Sequence, residues 1–187
     1  MIKEEVTNNI LLERINNSID YGVAKGDTAI KMYEDKIEDI RHELMRIQVG
    51  LRVLEDRIIQ EKDQIADLKK KPKVPASDIS SSTSTLDDMK KSLPELNELE
   101  NGLQGALKNM IDNLEIVKLK TEVLKAKKDM LADIGAVSVL KESLLLDEDD
   151  RILGITSEIE QAIQSLNEES SRIEAENKVE DLLGKIE

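Results

Sequence analysis

Apolar residues recur along this chain at spacings of three and four, the period of a helix with one buried face. In the longest run, Ile30, Ile37, Leu44, Leu51, Ile58 and Ile65 share one heptad position. Tyr33, Ile40, Ile47, Leu54, Glu61 and Leu68 share the other, so 11 of the 12 positions are apolar. The pattern holds over 39 residues, roughly 57 Å of helix at the standard rise. Its flanks carry both signs of charge: Glu34, Arg41, Glu55 and Lys62 on one side, Lys36, Glu43 and Arg57 on the other. That is the boundary expected of a coiled-coil seam. A second run places Leu86, Leu93, Glu100, Leu107, Leu114, Thr121 and Lys128 at one position. Met89, Leu96, Leu103, Met110, Val117, Leu124 and Leu131 stand at the other, with 11 of 14 apolar. Each stripe needs a partner, and two runs of similar length joined by a loop predict an antiparallel helical hairpin. Parallel self-association of either helix is the competing arrangement.

Local signals set the expected boundaries. Val6, Ile10, Leu11, Leu12, Ile15 and Ile19 predict a short amphipathic N-terminal helix over 1–24, ending near Tyr21-Gly22. Gly26-Asp27-Thr28 then reads as a turn and N-cap. The hairpin is expected over 27–134, with helices 27–70 and 86–134. Pro72, Pro75 and the run Ser80 to Thr85 predict a flexible loop over 71–85. Thr85 with Asp88 marks a helix start, and Pro94 suits the first turn of the continuous helix. Gly50 falls among the flanking residues, and Gly102 and Gly105 fall on the outer face, where they would serve as a hinge. Over 137–187 an acidic helical region is expected. There Leu144-Leu145-Leu146 end a short helix and Asp147 to Asp150 mark a boundary. Ile152, Ile155, Ile159, Ile163, Leu166 and Ile173 continue the pattern, while Val179, Leu182 and Ile186 shift register. The expected fold is therefore all-α: an elongated coiled-coil hairpin with a short N-terminal helix and acidic C-terminal helices.

Composition narrows the function classes. The 187 residues include two Tyr, no Phe, no Trp and no Cys. Few aromatics with many Leu, Ile, Glu and Lys fit long helices better than a compact core. Without cysteine there is no disulfide framework, thiol nucleophile or thiolate metal site. The charged start and the lack of a long apolar run argue against a secretory signal or a spanning helix and predict a cytoplasmic protein. The net charge of −13 weighs against nucleic-acid binding, which needs clustered Lys and Arg. From Lys141 to Glu187 there are 5 basic and 14 acidic residues, so −9 of the total lies in this last segment. The one basic cluster, Lys69, Lys70, Lys71 and Lys73, suits the negative end of a helix dipole. It is also the candidate contact for an anionic surface.

No residues assemble a reaction. His42, the only histidine, lies opposite the seam and should face solvent. There is no glycine-rich loop ending in Lys-Ser or Lys-Thr. Counted from Asp147, a calcium loop would match at Asp147, Asp149 and Glu158. It fails at Arg151, which repels the ion, and at Ile152, where a glycine is needed. Carboxylates on solvated helix faces do not form a desolvated acid–base pair. Neither catalysis, a cofactor, a metal nor a small-molecule substrate is expected. The candidate interaction seam comprises Ile37, Ile40, Leu44, Ile47, Leu51, Leu54, Ile58, Leu103, Leu107, Met110, Leu114 and Val117.

Three segments resemble a known superfamily. A short helix and Lys25-Gly26-Asp27 precede Ala29-Ile30-Lys31-Met32-Tyr33-Glu34-Asp35-Lys36-Ile37. This is similar to the small turn, alanine and long charged helix of the ESCRT-III and phage-shock protein A superfamily. The segment Leu119 to Leu131 is similar to the later part of that superfamily's hairpin. Leu146 to Asp150, with Ile159-Glu160-Gln161-Ala162-Ile163, is similar to its acidic helical tail. The resemblance implies a non-enzymatic protein that polymerises on membranes and remodels them, in peripheral contact with the bilayer. From the residues themselves, the leading expectation is a scaffold or interaction protein working through self-assembly or a protein partner. An acidic, helical assembly scaffold of phage type is the third.

Overall fold

A computed structural model of the chain describes residues 2–71, 73–134, 142–176 and 184. The fold is all-α. Its helices are α1 (Ile2–Lys70), α2 (Ala76–Ile134) and α3 (Glu142–Glu176), and no strand occurs among the described residues. The positions named after residue 176, Val179, Leu182 and Ile186, lie outside the described residues, as do Val137 and its neighbours.

No break occurs at Tyr21–Thr28: α1 runs through it. Ile15, Ile19, Gly22, Gly26, Ala29 and Tyr33 are all buried, at successive spacings of four, three, four, three and four. The glycines thus occupy stripe positions and do not end the helix. Thr28 does not cap; its hydroxyl donates to the Ala24 carbonyl at 2.8 Å, a bond made inside a helix. One extra step of four separates Tyr33 from Ile37, a stutter that shifts the stripe before it continues through Ile40 and Leu44.

The predicted loop over 71–85 contracts to the link at 71–75, because α2 begins at Ala76. Lys71 N–H donates to the Leu68 carbonyl at 3.2 Å, and Asp78 N–H to that of Pro75 at 3.1 Å. Lys73 takes a left-handed conformation, φ 80°, uncommon for a residue other than glycine. The Ser/Thr run is helical, and two of its hydroxyls find acceptors in the preceding turn. Thr83 donates to the Ile79 carbonyl at 2.7 Å and Thr85 to that of Ser81 at 3.2 Å. Pro94 consequently lies inside α2 and not at its start; having no N–H, it removes one bond from the ladder. Likewise α3 passes through Leu144 to Asp150 without a boundary.

The chain divides into two compact units, one of Met1–Ile37 with Asn109–Ser171, the other of Glu38–Lys108 with Arg172–Glu187. In the first, three helical segments enclose Ile15, Ile19 and Tyr33 of α1, Val117 and Leu124 of α2, and Leu145, Ile152 and Ile159 of α3. Ion pairs give their directions. Asp20–Lys128 (2.5 Å), Asp27–Lys125 (3.2 Å) and Glu34–Lys118 (2.7 Å) make α1 and α2 antiparallel here. Lys127–Glu148 and Lys120–Glu158 make α2 and α3 antiparallel as well. In the second unit, Ile40, Leu44, Ile47, Leu51, Leu54, Ile58 and Ile65 of α1 are buried with Leu86, Leu96, Leu103 and Ala106 of α2. Each such Leu or Ile contributes about 1.5–3 kcal/mol by leaving water.

Candidate interaction surfaces

The seam residues divide by burial. Ile37, Ile40, Leu44, Ile47, Leu51, Leu54, Ile58, Leu103, Met110 and Val117 are buried, while Leu107 and Leu114 are half-buried. On α2 the position holding Leu96, Leu103, Met110, Val117, Leu124 and Leu131 is buried from Leu96 onward, with Met89 half-buried, and the other position is mixed. The buried ones are covered within one chain and do not offer a free surface. Lys69, Lys70, Lys71 and Lys73 are exposed around the link, with Lys70 paired to Asp67 at 3.1 Å. His42 is exposed, its Nε2 3.3 Å from Glu38.

Close packing joins α1 to α2 and α3 at Gly22 and Gly26. A Cβ at Gly22 would stand 2.5 Å from Thr156 Oγ1 and 2.7 Å from a Leu124 methyl; one at Gly26 would run into the Thr121 side chain. Both threonines are buried, and their hydroxyls are satisfied by carbonyls in the preceding turn: Thr121 to Val117 at 2.8 Å, Thr156 to Ile152 at 2.9 Å. The polar interruption at Thr121 in the second run is thus a contact with a glycine.

Polar anchors surround this contact. Tyr33 Oη donates to the Ala162 carbonyl at 2.7 Å. Burial pushes its hydroxyl pKa above the usual phenol range, against an opposing hydrogen bond with Asn113. Tyr21 Oη donates to Glu160 at 2.8 Å. Asp149, in the acidic cluster, is buried and accepts from Arg14 at 2.7 Å, while its Oδ1 has no partner. Glu148 pairs with Lys127. Two members of the cluster therefore lock α3 in place, which the sequence reading, assigning them to a boundary, missed. The bonds to Asp27 and Glu122 raise the Lys125 pKa.

Two grooves open in the first unit. One of about 330 Å³ is lined by Tyr33, Asn109, Asp112, Asn113, Ser165 and Glu169, with the buried Met110 and Leu166. The other, about 600 Å³, lies among Arg14, Ser18, Tyr21, Leu153, Ser157 and Glu160. Neither lining includes a histidine or lysine to act as a base beside its serines. Among the described residues, no group of three or more acidic or histidine side chains is gathered to hold a metal. No helix among them is long and apolar enough to cross a membrane.

The outer faces carry apolar side chains that the sequence reading did not single out. Met45, Val49 and Val53 are exposed on α1, and Ile116, Leu119, Val123 and Met130 on α2, with Leu119 the most open at 67%. The signal was in the sequence: 116, 119, 123, 126 and 130 are themselves spaced by three and four, a second stripe on the helix that already bears the seam.

These features define the class as an all-α helical protein. No family model matches the chain, and none of the curated proteins or solved structures it was compared with matches it.

Proposed function

We propose that the chain is a non-enzymatic scaffold that acts by self-association or by binding a protein partner, with α1 and α2 forming a coiled-coil hairpin. One observation carries this reading: apolar side chains stand in solvent on helices whose seams are already filled. Exposed Leu119 and Met45 have no folding role that requires them to be apolar, and such stripes mark contact surfaces. Light scattering over a range of concentrations tests it. The mass should rise above the 21.0 kDa of one chain; a fixed 21.0 kDa, with no partner captured, overturns it.

A second reading, a peripheral membrane-remodelling polymer on the cytoplasmic side, draws on the exposed lysines at 69, 70, 71 and 73 and on the superfamily resemblance. A basic cluster is attracted to anionic lipid by about 1 kcal/mol per residue near the surface. Co-sedimentation with anionic vesicles, weakened when these four lysines become glutamine, supports it. A chain that stays in the supernatant refutes it.

A further inference from the structure

We propose that the outer stripe of α2 pairs in parallel with the same stripe of a second copy; this rests on the self-association reading. Ile116, Leu119, Val123, Ala126 and Met130 follow one another at spacings of three, four, three and four, and all are exposed. Taken as a and d positions of a heptad, they assign the flanks. Glu115, Glu122 and Asp129 fall at g, and Lys120 and Lys127 at e. One edge of the stripe is therefore acidic and the other basic.

That division selects both occupant and direction. In a parallel pair, each g residue meets the e residue five positions on in the other helix. Glu115 then faces Lys120, and Glu122 faces Lys127, on both sides of the pair. In an antiparallel pair g meets g and e meets e, setting carboxylate against carboxylate and amine against amine. Because the acidic edge matches the basic edge of the same helix, the surface is self-complementary, as a two-fold dimer requires. Lys120 and Lys127 already contact Glu158 and Glu148 of α3. Those contacts hold the two amines on the α3 side of the stripe, and an ammonium has three donors, enough for a second carboxylate.

The 187 residues include no cysteine, so single cysteines report the pairing directly. Leu119→Cys and Ala126→Cys should each close a disulfide with the identical position of the other copy under mild oxidation. Gln161→Cys, exposed on α3 and off the apolar faces, serves as control. Parallel in-register pairing is the arrangement that closes both, since a disulfide needs Cα atoms within about 7 Å. Leu119→Asp should return the mass to 21.0 kDa without loss of helix. Cross-linking no greater than the control, or closure only in a mixture of the two variants, overturns the proposal. If Leu119→Asp still assembles, the stripe is not the contact, while the scaffold reading stands. If the wild-type chain itself never exceeds one chain's mass, the pairing falls, and the scaffold reading falls with it only when no protein partner is captured either.

Discussion

Gly22 and Gly26 show how one residue type carries two meanings. In sequence each reads as a helix end, because glycine is the poorest helix former after proline. In the fold each lets α1 approach a buried threonine, Thr156 or Thr121, closer than a Cβ permits. Nothing local separates these uses; the partner threonines lie 134 and 95 residues away in the chain. Gly102, with open space around it, behaves as an ordinary exposed helical glycine. Gly26→Ala should therefore destabilise, by the 1–3 kcal/mol typical of overpacking, despite the better propensity of alanine. Gly102→Ala should stabilise by up to about 1 kcal/mol. Urea denaturation of both variants checks the pair of signs; two stabilising substitutions would show that the helices are not in close contact at Gly26. Asp149 is a similar case, an acidic residue in an acidic run that is nonetheless buried against Arg14. Arg14→Ala leaves that carboxylate buried without its charge partner. The expected loss is about 3 kcal/mol, at the low end for such pairs because Arg14 is itself exposed to water. A denaturation midpoint unchanged from wild type would contradict this.

At the scale of the helices, the seams were legible and the ends were not. Ile40, Leu44, Ile47, Leu51 and Leu54 are buried, as their heptad spacing requires, because only that face of α1 is continuously apolar. The Ser80–Thr85 run misled for a physical reason: hydroxyls compete with the backbone in loops, yet inside a helix they bond the preceding turn, as Thr83 and Thr85 do. The acidic run at 147–150 misled because its partners, Arg14 and Lys127, belong to other helices. Tyr33 ties three helices through Ala162 and Asn113, and its raised pKa makes that tie sensitive to alkali. The unfolded phenol ionises near pH 10, before the buried one. The stabilisation is therefore complete below that pH and is lost as pH rises through the higher folded value. Lys125, whose pKa is also raised, loses its contribution in the same direction. Stability measured from pH 8 upward should fall in the alkaline range, and Tyr33→Phe should flatten part of that fall. An identical alkaline profile for the variant would contradict the burial of the hydroxyl.

For the whole chain, the charge is arranged as well as large. Most of the −13 lies after Lys141, and in the first unit Glu148 and Glu158 of that segment meet Lys127 and Lys120 of α2. The acidic region is thus partly a complement to the basic stretch of α2 from Lys118 to Lys128. The second stripe of α2 escaped the sequence reading because spacing alone does not say which of two apolar faces is covered. Both functional readings need the seams to be filled within one chain, leaving only the outer faces for other molecules. Far-ultraviolet circular dichroism of Leu119→Asp, melted at concentrations spanning a hundredfold dilution, tests this most directly. The expected result is the same helix content and the same melting temperature throughout. Loss of helix on dilution would contradict it, because the seams would then be shared between chains.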